Sequence, residues 1–248
     1  MIQIGRNIRH ENDYLLEVEF TKKSGFDFIQ IWYDKNGLSL KTEGPDKEKV
    51  ILEASFPTII HALLDINEYE LHIPKLLKIL NRLNHNELII HPVFKSQKID
   101  SNSIGKLARI MRGVNTTLKA NNISLYIENN CRVTPIFYST KDIEIFFVEN
   151  PDVNFLLDVA HIDNYDHFEN ILKIKYPRIL HIADKRFSVE HEHLALGKGE
   201  IDYSRIFEAL RDFNGKVILE ISDSDQEIFQ SKCIIEAKIR NLTSSIIK

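Results

Sequence analysis

Six short apolar runs in this chain each end in a histidine or a carboxylate, and they recur about every thirty residues. They read Thr58-Ile-Ile-His61, Leu88-Ile-Ile-His91, Leu125-Tyr-Ile-Glu128, Phe155-Leu-Leu-Asp158, Ile179-Leu-His181 and Val217-Ile-Leu-Glu220. Runs this short, bounded by polar loops and separated by helix-length segments, predict buried parallel strands. A ligating or catalytic side chain at the C-terminal tip of strand after strand is the layout of a barrel active site.

The alternation extends nearly end to end. Strands are expected at 2–5, 26–33, 58–63, 88–93, 123–127, 153–159, 178–183 and 217–221. Helices are expected over 13–24, 73–83, 103–120, 141–148, 165–174, 203–213 and 225–240. The polar stretch 34–49, with Gly37, Gly44 and Pro45, reads as an irregular connection. The expectation is an α/β chain: a single (β/α)8 TIM barrel over residues 1–248, with its active site at the C-terminal ends of the strands. A chain of 248 residues is long enough to close one and bury a large core.

The bulk properties narrow the function. A formal net charge of −4 supplies no global basic field for nucleic acid, although a metal cluster would add local positive charge that residue counts omit. Cys131 and Cys233 are far apart and in no CxxC spacing, which argues against a disulfide framework and fits a reducing compartment. No apolar run reaches membrane-spanning length and no signal peptide is legible, so a cytoplasmic enzyme without a membrane partner is expected. There is no Gly-x-Ser-x-Gly elbow, and neither cysteine has a base nearby in sequence, so covalent serine or cysteine catalysis has no support.

The strand-end residues His61, His91, Glu128, Asp158, His181 and Glu220 offer imidazole nitrogen and carboxylate oxygen, which bind zinc, manganese or iron without any thiolate. One such residue alone serves as readily as a helix cap; six at the same place in the repeat do not. Asp158-Val-Ala-His161 adds a carboxylate and an imidazole across a strand end and its turn, able to bind one metal or bridge two. In His191-Glu-His193 alternate residues of an extended loop point the same way, so both histidines reach one centre, unless Glu190-His-Glu-His193 is only a solvated loop. Lys185 and Arg186 would hold an anionic substrate group or stand as loop charges. Trp32 and Tyr33 would stack on a sugar or base, or pack in the core. Leu196-Gly-Lys-Gly199 is too short for a phosphate-binding loop, and His10, His72, His85 and His167 read as bystanders in loops or on helix surfaces.

These residues resemble the xylose isomerase-like barrel superfamily, which includes endonuclease IV and many sugar isomerases and epimerases. The resemblance covers nearly the whole chain. It is carried by Ile123-Ser-Leu-Tyr-Ile-Glu-Asn129, Leu156-Leu-Asp-Val-Ala-His161, Ile179-Leu-His-Ile-Ala-Asp184, the stretch from His193 through Gly197 and Gly199 to Asp202, and Val217-Ile-Leu-Glu220. The endonuclease IV branch implies a three-zinc cluster held by His61, His91, Glu128, Asp158, His161, His181, His193 and Glu220. His191 stands where that branch has an aspartate. That resemblance implies a hydrolase acting on a phosphoester, with abasic-site DNA as one substrate option. Its divalent metal would be zinc first, with manganese or magnesium as alternatives, Glu128 would bridge two metals, and Arg186 or Lys185 would contact phosphate.

The sugar-epimerase branch instead implies one metal on Glu128, Asp158, His181 and Glu220. Glu128 and Glu220 would be its acid/base pair, with His161 and Arg186 at the sugar or sugar phosphate. A non-catalytic barrel that binds metal or sugar is the third option. Against damaged DNA as partner, Leu64 holds the place of the branch's groove-inserting tyrosine, and 34–49 contains no arginine to match its second wedge. Lys198 replaces the glutamate of the branch's Gly-Glu-Gly.

Overall fold

The structure, a computed structural model, describes residues 2–42, 44 and 46–245, with side chains described to residue 240. Its strands are β1 (Gln3–Asn7), β2 (Phe28–Asp34), β3 (Gly37–Leu38), β4 (Thr58–Asp65), β5 (Glu87–Val93), β6 (Ser124–Glu128), β7 (Asn154–Asp158), β8 (Ile179–Ile182) and β9 (Lys216–Leu219). All pair in parallel except β3, a short antiparallel return against β2. The pairing of β1 with β2 joins the two ends of the sheet, so the remaining eight strands close into a barrel. The expected α/β TIM barrel is what the chain forms.

Among the described residues eight α-helices surround it: α1 (Tyr14–Lys23), α2 (Lys47–Ala54), α3 (Tyr69–Leu83), α4 (Ser103–Lys119), α5 (Thr140–Glu149), α6 (Tyr165–Ile174), α7 (Tyr203–Ala209) and α8 (Asp225–Ser245). Six start on a side-chain cap, in which Asp13, Asp46, Ser139, Asn164, Asp202 or Ser224 accepts from backbone N–H groups of the first turn. Helical spacing of Ile73, Leu76, Leu80 and Leu83 on α3, and of Ile104, Leu107, Met111, Val114 and Leu118 on α4, lays an apolar face on the outer side of the barrel.

The stretch 34–49 is more ordered than its composition suggested. It holds β3 and leads into α2, whose single buried side chain, Ile51, leaves almost no periodic signal to read. Pro45 lies outside the described residues.

Inside the barrel, Phe28, Ile59, Ile89, Leu156, Ile179 and Ile218 form a separate apolar plug, with Tyr126 packed against it. Gly5 completes this layer by having no side chain. A Cβ there would lie 2.4 Å from the Phe28 ring. The plug closes the barrel below and forms the floor of the mouth.

Candidate metal centre

Strand side chains alternate with a period of two, so the residue two places after each plug residue also points inward, one layer nearer the mouth. Advancing by two converts Gly5, Phe28, Ile59, Ile89, Tyr126, Leu156, Ile179 and Ile218 into Asn7, Gln30, His61, His91, Glu128, Asp158, His181 and Glu220. The six strand-end residues expected from sequence therefore meet in one ring above the plug. Asn7 and Gln30 complete that ring, and neither was singled out from sequence. Their signal was positional: each sits where the other strands carry a histidine or carboxylate.

The ring is tightly connected and, apart from the half-buried His91, buried. His91 Nδ1 lies 2.8 Å from Glu128 Oε2, and His61 Nε2 lies 2.9 Å from the same oxygen. His181 Nδ1 lies 3.0 Å from Glu128 Oε1 and 2.9 Å from Glu220 Oε2. Gln30 accepts from His181 Nε2 at 2.9 Å, and its amide nitrogen lies 3.1 Å from His61 Nδ1. Trp32 Nε1 donates to Asn7 Oδ1 at 2.8 Å and edges toward the His61 ring.

The 3-10 turn Val159–His161 after β7 brings in the second layer of donors. Asp158 Oδ1 accepts from Ala160 N, and Asn129 Oδ1 accepts from Asp158 N, which fixes the carboxylate. His161 Nδ1 is bound to the Asn129 carbonyl at 2.7 Å, so its Nε2 faces the mouth. His193 Nε2 comes within 3.3 Å of Asp158 Oδ2. The rings of His161, His191 and His193 stand 4.9 to 5.4 Å apart, so the loop histidines do converge on the strand-end set.

Arg186, expected to touch substrate, has another placement. Its exposed guanidinium pairs with Glu192, and its backbone N–H donates to the same carboxylate. Glu192 sits between the two loop histidines, so this pair holds the middle residue of the alternating loop away from the mouth. Lys185 is buried, with Nζ donating to the Ile162 carbonyl at 3.1 Å. Neither cation is held ready for a phosphate.

Leu196-Gly-Lys-Gly199 wraps the Asp184 carboxylate, which accepts from the backbone of Gly197, Gly199 and Ile201. A Cβ at Gly199 would collide with that carboxylate, so the glycine serves the turn. His72, expected on a helix surface, is buried, with Nδ1 2.8 Å from the Tyr33 hydroxyl.

The electrostatics follow from the crowding. Burial alone would lower these imidazoles, but the charge and hydrogen bond of Glu128 hold His91 above its ordinary value. Against the same burial, Glu220 and Glu128 hold His181 well above it, and Asp158 raises His193 to about 9. His161 and His191 are lowered, first by burial. Burial would raise the two carboxylates, yet the facing histidines hold Glu128 and Glu220 well below the usual carboxylate range.

Donor atoms within 4.8 Å of one another fall into overlapping groups. Glu128, Asp158, His181 and Glu220 make one; His61, His91 and Glu128 a second; Asp158, His161 and His193 a third. His61 also groups with His181 and Glu220, and His161 with Cys131 and His191. His61 Nε2, Asp158 Oδ2, His161 Nε2 and His193 Nε2 are buried without a hydrogen-bond partner among the described residues. Orphaned buried polar atoms are costly, and these four, each within a donor group at the barrel mouth, fit divalent cations as the missing partners. A cavity of about 490 Å³ opens beside the mouth, between Trp32, Lys35, Leu63, Asp65 and Lys95.

A closed parallel barrel with imidazoles and carboxylates gathered at its C-terminal rim defines the class: an α/β TIM barrel. The model of the xylose isomerase-like TIM barrel family matches residues 18–244, and the chain belongs to that family.

An uncharacterised protein of Methanocaldococcus jannaschii, MJ1614, is 25% identical over 151 residues, a stretch that spans 59% of each protein. Among solved structures, a D-tagatose 3-epimerase-like protein is similar at TM-score 0.81 and 15% identity, covering 99% of this chain and 100% of that one. D-psicose 3-epimerase from Clostridium cellulolyticum H10 gives TM-score 0.73 and 15% identity over 96% and 99% of the two chains. The IolI protein with a binding zinc atom gives 0.72 and 14% over 99% and 98%. At these identities the likeness is one of fold. No helix among the described residues is long and apolar enough to cross a membrane.

Proposed function

We propose that the chain is a metal-dependent hydrolase of phosphoesters with a multinuclear centre, zinc being the cation its imidazole-rich donor set suits best. One observation carries this reading: Glu128 and Asp158 each belong to two donor groups. A carboxylate shared between groups would hold neighbouring cations, which would suit the two oxygens of an in-line displacement at phosphorus.

Bound there, divalent ions would supply positive charge for the phosphoryl oxygens and lower the pKa of a water nucleophile. The chain's own contribution is orientation and desolvation. Gln30 and Asn129 hold the rings of His181 and His161, and the plug seals the floor against water from below. The cavity beside Trp32 offers room for the ester's organic portion, with Lys35 and Lys95 on its wall.

Leu64, at the place of the groove-inserting tyrosine, is fully buried and has no route to a DNA groove. A small phosphoester therefore fits this reading better than abasic DNA.

A second reading has its own support. Glu128, Asp158, His181 and Glu220 alone form a four-donor group of the kind a one-metal sugar isomerase or epimerase uses, and the similar solved folds include sugar 3-epimerases. There Glu128 and Glu220 would move a proton on and off the carbon beside a carbonyl.

The test is a side-by-side assay of zinc- and manganese-loaded protein. Release of p-nitrophenol from aryl phosphodiesters, without deuterium uptake by ketoses, supports hydrolysis. Solvent deuterium in a ketose C–H bond without ester cleavage transfers the assignment to the epimerase reading.

A further inference from the structure

Cys131 follows directly on the strand-end ligand Glu128 through two buried asparagines. Asn129 accepts from the backbone of Asp158, and Asn130 donates to the carbonyls of Pro92 and Ile136. These bonds pin the loop that leaves β6, so the thiol's position is set by the frame that sets Asp158. The structure brings it to a base that sequence distance had hidden: Cys131 Sγ lies 3.5 Å from His191 Nδ1. Cys131 is buried, and its sulfur, His161 and His191 offer donor atoms within 4.8 Å of one another.

A second observation points to what belongs there. His161 is 2% exposed, its Nδ1 is taken by Asn129, and its Nε2 has no hydrogen-bond partner among the described residues. That nitrogen lies 3.4 Å from Asp158 Oδ2, and His161 also belongs to the group with Asp158 and His193. One imidazole lone pair serves one cation, so His161 serves either the group with Asp158 and His193 or an outer group with Cys131 and His191.

We propose that Cys131 is a ligand of this outer cation position, giving it a thiolate donor beside His161 and His191. The inference rests on the reading of the barrel mouth as a metal centre and names a ligand beyond the imidazoles and carboxylates. On binding, the S–H bond gives its proton to solvent and the sulfur lone pair goes to the cation. A soft donor favours zinc or another borderline transition metal over magnesium or manganese at this position. The outer site is thus the selective one of the centre, while its oxygen-rich neighbour around Glu128, Asp158 and Glu220 is permissive.

The test uses cobalt(II) chloride titrated into the metal-free full-length protein, followed by absorption. The expected result is a sulfur-to-cobalt charge-transfer band in the near ultraviolet alongside visible d–d bands. That band should be lost in Cys131→Ser and Cys131→Ala and kept in Cys233→Ser. Zinc affinity at this position should fall roughly tenfold or more in Cys131→Ser. Visible bands without the charge-transfer band in the unmodified protein would overturn the proposal and leave the metal centre standing. Persistence of the band in Cys131→Ser would also overturn it. Absence of both kinds of band would remove the metal-centre reading and this inference together. Because the first readout comes from the unmodified chain, a variant that failed to fold would not shield the proposal.

Discussion

His181 Nε2 and Gln30 Oε1 stand 2.9 Å apart although 151 residues separate them along the chain. An amide oxygen only accepts, so it keeps the proton on Nε2 and turns Nδ1 toward Glu128 and Glu220. The same amide reaches His61 with its nitrogen. One glutamine therefore orients two rings that belong to different donor groups.

Gln30→Leu should accordingly lower zinc affinity about 10- to 100-fold while leaving the barrel folded. Calorimetric titration of zinc into the variant checks this, with circular dichroism as the control for folding. Unchanged affinity would mean that the rings are held by the carboxylates alone.

Protons should leave as metal enters. His193 is raised to about 9 by Asp158 in spite of burial, so near pH 7 it carries a proton that a coordinating nitrogen must shed. Metal affinity should therefore climb with pH up to about 9 and level off above it. Titrations in buffers of different ionisation enthalpy measure the protons released, and His193→Ala should reduce that number.

The strand-end histidines and carboxylates were legible because each terminates an apolar run, so period-two alternation and the barrel's handed repeat place them without any tertiary information. Gln30 and Asn7 were not, since Phe28-Ile-Gln-Ile-Trp32 and Gln3-Ile-Gly-Arg-Asn7 look like ordinary strands until the plug shows which parity faces inward. Cys131 was hidden for a different reason: its partner His191 lies 60 residues away and meets it only through the loop after β8. Sequence position leaves Arg186 open between a substrate contact and a loop charge. Glu192, six residues on, captures it, a pairing that charge pattern alone does not select over solvent.

Gly5 and Phe28 form a packing pair that double substitution can isolate. A Cβ at residue 5 would meet the Phe28 ring at 2.4 Å, so Gly5→Ala should cost about 1–3 kcal/mol through overpacking of the plug. Adding Phe28→Leu should return part of that loss. Urea unfolding of the two single variants and the double variant gives the coupling, and purely additive losses would place the strain elsewhere.

Below the mouth, Arg6 is buried against Glu17, which also accepts from Arg9 and Asn12. Burial would raise Glu17, but the two arginines hold it below the usual carboxylate value of 4.5. Because its folded pKa is lowered, its contribution to stability is complete above 4.5 and disappears as pH falls through the folded value. Glu17→Gln leaves Arg6 buried without its counter-charge and should cost about 3–5 kcal/mol near neutral pH, with a much smaller deficit in acid. Denaturation at several pH values checks both the size and the trend.

Glu128 and Asp158 each fall in two donor groups, and under the proposed function each would serve more than one cation. Elemental analysis of zinc-reconstituted, desalted protein addresses this most directly, with His61→Ala/His91→Ala beside the unmodified chain. More than one zinc per chain, falling in the double variant, is the expected result. A single zinc or less in the unmodified protein, unaltered by loss of His61 and His91, would contradict it.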